Sequence, residues 1–379
     1  MIKKERLIKL TQKLIQFDSV NPPGNELAVA HFIEKDMRSL GLDVRTYSFA
    51  KDRPNVVATL RGSLPKKLNK PILITPHIDT VPFGTGWKFK PTGGEIHAGR
   101  IYGRGASDDK GNAAVGMEVM RSLVEDKVHL KHDVIYAATV DEETGSHQGI
   151  RPLLSKGILR PDVALITDSE EFDCIIAQKG LFHSRVQIFG KKAHGAYNWR
   201  GVNAIEIAAK VIKRLLEHQF KFKKHPLLVP PTKNIGTIKG GDKVNMVADF
   251  CEFSLDIRFM PGMTAERVLK EVTAIIAKET KDFKIIIDDA QKPYSIDPKH
   301  PFVKTYVDVC KRMGIEAKLS GSQGATVISF FQDYNIPAFS TGWGAHGVIH
   351  ANDEYATIKT LHKGALVLMQ YLIDYDKIA

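Results

Sequence analysis

The spacing of hydrophobic and polar positions changes twice along the chain, and the changes mark out three stretches. At the start, Ile2, Leu7, Ile8, Leu10, Leu14 and Ile15 alternate with Lys, Glu and Gln, a period that predicts a packed amphipathic helix over 1–17. Up to about residue 178, helical patterns over 27–40 and 112–124 are interleaved with short β-branched runs at 55–60, 72–75, 134–140 and 163–167. Helices alternating with apolar strands predict a layered α/β sheet covered by helices.

From Leu181 the rhythm differs. The pattern predicts a strand over 182–189, a helix over 202–217, strands over 235–239 and 252–259, a helix over 265–279 and a strand over 283–287. That βαββαβ order is the ferredoxin-like unit. After Pro293 the α/β character returns, with a helix over 302–313, a strand over 338–341 and a last helix over 355–371. The expected organisation is a catalytic domain in two pieces, 1–180 and 292–379, with a ferredoxin-like domain inserted over 181–291. A site in the first domain would then draw on both ends of the chain.

A length of 379 residues exceeds what one core usually serves, which agrees with two domains. Lys and Arg outnumber Asp and Glu by 54 to 43, a net charge of +11, but the basic residues are dispersed and accompany no nucleic-acid motif. Neither nucleic acid nor membrane is an expected partner, and no apolar run reaches the roughly 18 residues needed to span a bilayer. The first 17 residues lack the continuous apolar core of a signal peptide. Cys174, Cys251 and Cys310 lie far apart with no Cys-x-x-Cys, which argues against a disulfide framework and a thiolate zinc site, and for a reducing cytoplasm.

Candidate chemistry clusters after the apolar runs. His77 and Asp79 follow the 72–75 run two residues apart, so both project to one face where open α/β sheets hold ligands. Asp108 lies in Gly103-Arg104-Gly105-Ala106-Ser107-Asp108-Asp109-Lys110-Gly111 before a helix. This falls short of a dinucleotide loop, because an acid occupies the third glycine position and would repel phosphate; a cation suits it better. Asp141, Glu142 and Glu143 follow a buried-type strand, and acids packed so closely repel one another unless solvated or neutralised by metal. Asp168 ends a third apolar run and His350 sits in a late loop. Singly, each has an ordinary structural explanation. Together they supply oxygen and nitrogen ligands without sulfur, a set suited to zinc, cobalt or manganese, and Glu142 beside Glu143 offers a base next to a ligand.

In this order His-x-Asp, Gly-Arg-Gly-Ala-x-Asp-x-Lys-Gly, Asp-Glu-Glu and a terminal histidine resemble the M20 metallopeptidase family, which includes acetylornithine deacetylase, succinyl-diaminopimelate desuccinylase, aminoacylases and glutamate carboxypeptidase. The resemblance spans nearly the whole chain. It implies that His77, Asp108 and Asp168 hold one divalent metal and that Asp108, Glu143 and His350 hold another, with Asp108 bridging. It further implies Glu142 as general base, Asp79 as acceptor from the His77 ring, and a cis peptide between Asp108 and Asp109. The inserted domain would serve as lid and dimerisation unit. His194, in Lys192-Ala193-His194-Gly195, would reach a neighbouring subunit's site to stabilise an oxyanion, and Asn245 and Arg258 would lie near substrate, Arg258 suited to forking onto a carboxylate.

Some positions depart from the family pattern: Pro76 replaces the glycine before the metal histidine, Ala248 replaces a proline, and Gly324 replaces an aspartate in Ser320-Gly321-Ser322-Gln323-Gly324-Ala325. That last segment narrowly misses the Gly-x-Ser-x-Gly elbow of serine hydrolases, because Ser320 stands at its first glycine. The resulting expectation is a cytoplasmic, homodimeric amidohydrolase with two divalent ions, zinc first and cobalt or manganese as alternatives. Its substrate would be an N-acyl amino acid, or alternatively a peptide cleaved by a dipeptidase or carboxypeptidase.

Overall fold

The computed structural model describes residues 1–379, and the chain divides into two compact units, 1–176 with 296–320 and 330–379, and 177–295 with 321–329. The first unit is built on a mixed sheet. Its neighbours in order are the strands Asp43–Ser48, Pro54–Leu60, Val134–Ala138, Ile72–Thr75, Val163–Ile166, Ala338–Ser340 and Cys174–Gln178. The four from Val134–Ala138 to Ala338–Ser340 run parallel, so their carboxyl ends open on one edge. Parallel strands are covered on both faces, which is why Ile72–Thr75 and Val163–Ile166 are buried at every position rather than alternating.

The helix Lys110–Glu125 lies deep in this unit. Small residues let it approach its neighbours closely, and a Cβ on Gly116 would come within 2.5 Å of the Tyr136 ring on the sheet. On its other side it packs against the helices Lys4–Ile15 and Ile358–Asp376. Glu118 of the buried helix accepts from Arg6 Nε at 2.6 Å and from Lys3 N at 2.8 Å, which pins the amphipathic start of the chain.

The last helix begins later than the periodicity predicts. Tyr355–Thr357 is instead a strand paired with Arg100–Tyr102, and Thr357 Oγ1 caps the helix by accepting from Thr360 N. The polar strand Asp43–Ser48 also escapes periodicity, because its pairing with Pro54–Leu60 rather than an apolar face defines it.

The second unit is a four-stranded antiparallel sheet in the order Thr232–Gly240, Phe250–Phe259, Gly180–Phe189, Phe283–Gln291. Its helices Ala204–Glu217 and Ala265–Ile276 bury Ala204, Ala208, Val211 and Leu215, and Val268, Val272, Ile275 and Ile276, at helical spacing on the sheet. Asn203 and Thr264 cap their starts. Residues 321–329 group with this unit, where the sequence pattern had placed them in the catalytic domain. Gln178 Oε1 accepts from Thr326 Oγ1 at 2.8 Å and Gly321 packs on Leu227. No helix is long and apolar enough to cross a membrane.

Gly364 gives a test of this packing. A Cβ there would meet Trp343 Cγ at 2.2 Å. Replacing glycine by alanine inside a helix ordinarily stabilises by about 1 kcal/mol, whereas overpacking a filled core costs about 1–3 kcal/mol. Gly364→Ala is therefore expected to lower the urea midpoint, and a raised midpoint would show that Trp343 has room to move.

Candidate metal centre

Sheet hydrogen bonding continues past the named strands and sets the site's spacing. Thr139 N donates to Pro76 O at 3.0 Å, Ile78 N to Thr139 O at 2.9 Å, Thr167 N to Thr75 O at 3.2 Å and Thr341 N to Ile166 O at 2.9 Å. His77 therefore sits inside this bonded stretch, bridged to Thr139, while the 141–143 acids and Asp168 follow directly after it on the neighbouring parallel strands. The fourth strand leads to the loop that carries His350.

Asp108 arrives from the side, at the amino end of the buried helix, and its peptide bond to Asp109 is cis. Glu354 holds this turn. Its carboxylate accepts from Ser107 N at 2.9 Å, Asp108 N at 3.1 Å and Arg104 Nη1 at 2.8 Å, all buried. Asp109 turns inward, accepting from His77 N at 3.0 Å and Asn112 Nδ2 at 2.7 Å.

The side chains then meet. His77 Nε2 lies 2.8 Å from Asp108 Oδ1, and His350 Nε2 lies 3.1 Å from Asp108 Oδ2 and 3.3 Å from Glu143 Oε2. Asp108 thus stands between the two histidines, one oxygen towards each. A donor atom from each of His77, Asp108 and Glu143 falls within 4.8 Å of the others.

The Asp79 carboxylate is shared between the His77 ring and the turn that follows. His77 Nδ1 lies 3.1 Å from the Asp79 main-chain oxygen and 3.4 Å from its carboxylate Oδ1. The carboxylate also accepts from Glu142 N and Glu143 N, both at 3.1 Å, and from Asn21 Nδ2 at 2.9 Å. It acts as a template for the turn that presents Glu142 and Glu143. Asp141, in left-handed backbone at φ 67°, ties the same turn to Arg53 at 3.0 Å, and Arg53 in turn pairs with Glu26. Neither Asn21, Arg53 nor the role of Glu354 stands out in sequence; an asparagine before two prolines carries no spacing signal, and Glu354 is legible only as an acid four residues after His350.

The electrostatics are those of crowded carboxylates. Burial raises Asp168, and the charge of Asp108 adds to it, so its pKa is pushed up to about 7. Glu142 is half-buried, and desolvation of its carboxyl followed by the charge of Asp168 holds it well above the ordinary range. For Asp108, burial acts upward, but hydrogen bonds from His350 and His77 outweigh it and its pKa is lowered. Burial acts downward on His77, yet the bonds to Asp108 and Asp79 win and keep it well above 6.5. His350 is raised to about 10, first by its bond to Asp108 and then by Glu143. Protons on the two imidazoles balance the acids, and a metal would displace those protons.

The donor set fits a cation. Glu143 Oε1 is buried with no hydrogen-bond partner, a costly state for a carboxylate oxygen that a metal ion would relieve. Donation from His77 Nδ1–H to the Asp79 main-chain oxygen leaves Nε2 as the ligating nitrogen.

The remaining candidates lie in the second unit. His194 and Asn245 are neighbours: Gly195 N donates to Asn245 O at 2.8 Å, and both residues are exposed. His194 Nδ1 accepts from Ala196 N at 3.1 Å, so the neutral ring carries its proton on Nε2. Arg258 is engaged locally, its Nε 2.8 Å from Asp256 Oδ1 and its Nη2 3.4 Å from His183 Nε2.

Comparison with known proteins is consistent with this geometry. The family described as Peptidase family M20/M25/M40 matches residues 73–374. Among solved structures, the chain is similar to the aminopeptidase PepT from Bacillus cereus ATCC 10987, with TM-score 0.81, 23% identity and 99% of each chain covered. It is also similar to a tripeptidase from Staphylococcus aureus subsp. aureus Mu50, with TM-score 0.81, 24% identity and 100% of each chain covered. A third is the Bacillus subtilis YXEP protein, a dinuclear metal binding peptidase from the M20 family, with TM-score 0.74, 16% identity and 99% of each chain covered. At these identities the likeness establishes the fold.

The raised Asp168 has a consequence for stability. Its folded pKa of about 7 lies above its ordinary 3.8, so its contribution to folding is complete below the lower value and is lost as pH rises through the upper one. In protein stripped with EDTA, the Tm difference between Asp168→Asn and wild type is expected to move in the variant's favour from pH 4 to pH 8. A difference that stays constant across this range would contradict the assignment.

Proposed function

The chain belongs to peptidase family M20/M25/M40, and from that membership we propose a dinuclear metal-dependent exopeptidase acting on short peptides. As a family member it is a metal-dependent hydrolase of peptide bonds. The observation that carries the proposal is the convergence of Asp108, Glu143, His77 and His350, with a buried Glu143 oxygen lacking any partner, beside the raised carboxyl of Glu142.

In this reading His77, Asp108 and Asp168 hold one ion and Asp108, Glu143 and His350 the other. Two divalent ions, zinc first with cobalt or manganese as substitutes, supply Lewis-acid activation of water and of the scissile carbonyl. Glu142 takes a proton from the attacking water and passes it to the leaving amine, and burial, which raises its carboxyl, favours holding that proton between the two transfers. Asp79 and Asn21 hold the turn that aims it. His194, with its proton on Nε2, donates to the oxyanion that develops on the carbonyl.

The working unit is a homodimer joined through the inserted domain, in which His194 of one copy serves the site of the other. The exposed Trp199, Val202 and Ile205 beside His194 in sequence support an interface there. Three buried free cysteines accord with a reducing cytoplasm.

A second reading is an N-acyl amino-acid deacylase, which would use the same residues. Peptides are favoured by the full-length likeness to the aminopeptidase and the tripeptidase.

Dipeptides, tripeptides and N-acetyl and N-succinyl amino acids assayed with added zinc, cobalt or manganese separate the two; activity confined to the acyl amino acids would reject the peptidase. Glu142→Gln is expected to lower kcat by about 100-fold or more while the metal content per chain is unchanged. Turnover at the wild-type rate would remove Glu142 from its role.

A further inference from the structure

The loop bearing His350 leaves the buried core at Ala345, and from His346 to His350 it is half-buried or exposed. Both of its flanks are tied to the Asp108 turn. Ala345 N donates to Ser107 Oγ at 2.8 Å on one side, and Arg104 Nη1 donates to Ala351 O at 3.1 Å on the other. His350 itself takes left-handed backbone at φ 60° in a turn closed by Ala351 N donating to Val348 O at 3.1 Å, its carbonyl accepts from Arg104 Nη2 at 3.4 Å, and its side chain is 50% exposed, so packing alone does not account for its placement.

Between these flanks a carboxylate from another loop reaches in. Glu170 Oε1 accepts from Gly347 N at 3.1 Å, and Glu170 Oε2 lies 2.5 Å from His346 Nδ1. The two loops also run side by side. Glu171 N donates to Gly344 O at 3.1 Å and Phe172 N to Gly342 O at 2.8 Å, and a Cβ on Gly342 would fall 2.0 Å from Ser169 O. Glu170 stands two residues after Asp168, and His346 four before His350. The contact therefore joins the loop that carries Asp168 to the loop that carries His350.

We propose that Glu170 and His346 form a clasp that positions His350 for its metal ion, a proposal that rests on the reading of His350 as a ligand. Both act as positioning residues. The His346 side chain is 78% exposed, and a role in core packing would not leave it so. The bonded His346 ring and the Gly347 amide fix the two consecutive residues that lead into the Val348–Ala351 turn carrying His350. Preorganising a ligand in this way lowers the ordering cost of binding, and partners that orient metal ligands typically contribute 10- to 100-fold in affinity.

The test measures metal binding and backbone protection rather than turnover. Zinc is titrated into the full-length apo-protein against a competing chelator, and a His350→Ala variant identifies the binding step that depends on His350. In His346→Ala and Glu170→Ala that step is expected to weaken about ten-fold, the other step by much less, and the double variant no further than Glu170→Ala alone. His346→Asn, whose amide can donate from the position of Nδ1, restores the step. In the metal-free protein, hydrogen exchange across 345–350 is expected to quicken in His346→Ala and Glu170→Ala.

Equal weakening of both steps, or a His350-dependent step unmoved in either alanine variant, overturns the clasp while leaving the ligand assignment intact. A His350→Ala variant that keeps both steps overturns the ligand assignment, and with it the clasp as a metal-positioning device.

Discussion

Bringing Asp108, Glu142, Glu143 and Asp168 together with His77 and His350 is the constraint around which the first unit is organised. Carboxylates that are buried and close repel one another and resist desolvation, and the opposed shifts at Asp108 and Asp168 are the signature of that conflict. Such a cluster is tolerable only when positive charge is inserted and every remaining oxygen has a donor. The imidazoles supply the charge in the metal-free protein, and Glu143 Oε1 is the atom left over. The acidity of the site and its capacity for cations are therefore one property.

Holding those groups in place requires a rigid surround. The parallel strands keep their hydrogen bonds beyond their apolar runs, so that His77 and the residues leading to the 141–143 acids and Asp168 stay on neighbouring strands. The carboxylates of Asp79, Asp109 and Glu354 then act as internal templates, each accepting at least one main-chain amide of a site-bearing turn. Acids thus serve twice here, some as candidate ligands and others to orient the backbone that presents them.

The two units illustrate different sources of order. The second unit has an alternating sheet and two amphipathic helices, so its pattern of burial is simple and its helix starts carry their own caps. The first unit buries whole strands and most of a helix, and it relies on small residues such as Gly116 and Gly364 to let large rings approach. Its site loops are irregular because they are shaped by specific acceptors. Left-handed backbone at Asp141 and His350 occurs in these loops, where side-chain and main-chain bonds compensate for it.

Much of this was legible along the chain. The period of apolar positions determined the layered α/β sheet and the βαββαβ insertion, because those elements bury faces of fixed period, and acids and histidines placed just after apolar runs marked the edge where a site would lie. What periodicity could not supply were elements defined by pairing alone, such as Asp43–Ser48 and Tyr355–Thr357, and the grouping of 321–329 with the second unit. The turning of the Asp79 carboxylate towards the Glu142 and Glu143 amides, the engagement of Arg258 by Asp256, and the meeting of Glu170 with His346 were likewise decided only in three dimensions. Residue type and spacing specify which groups reach a strand end, since side-chain direction follows from local backbone geometry. Which atom each group then bonds depends on partners tens to hundreds of residues away, and only the folded chain brings them within reach.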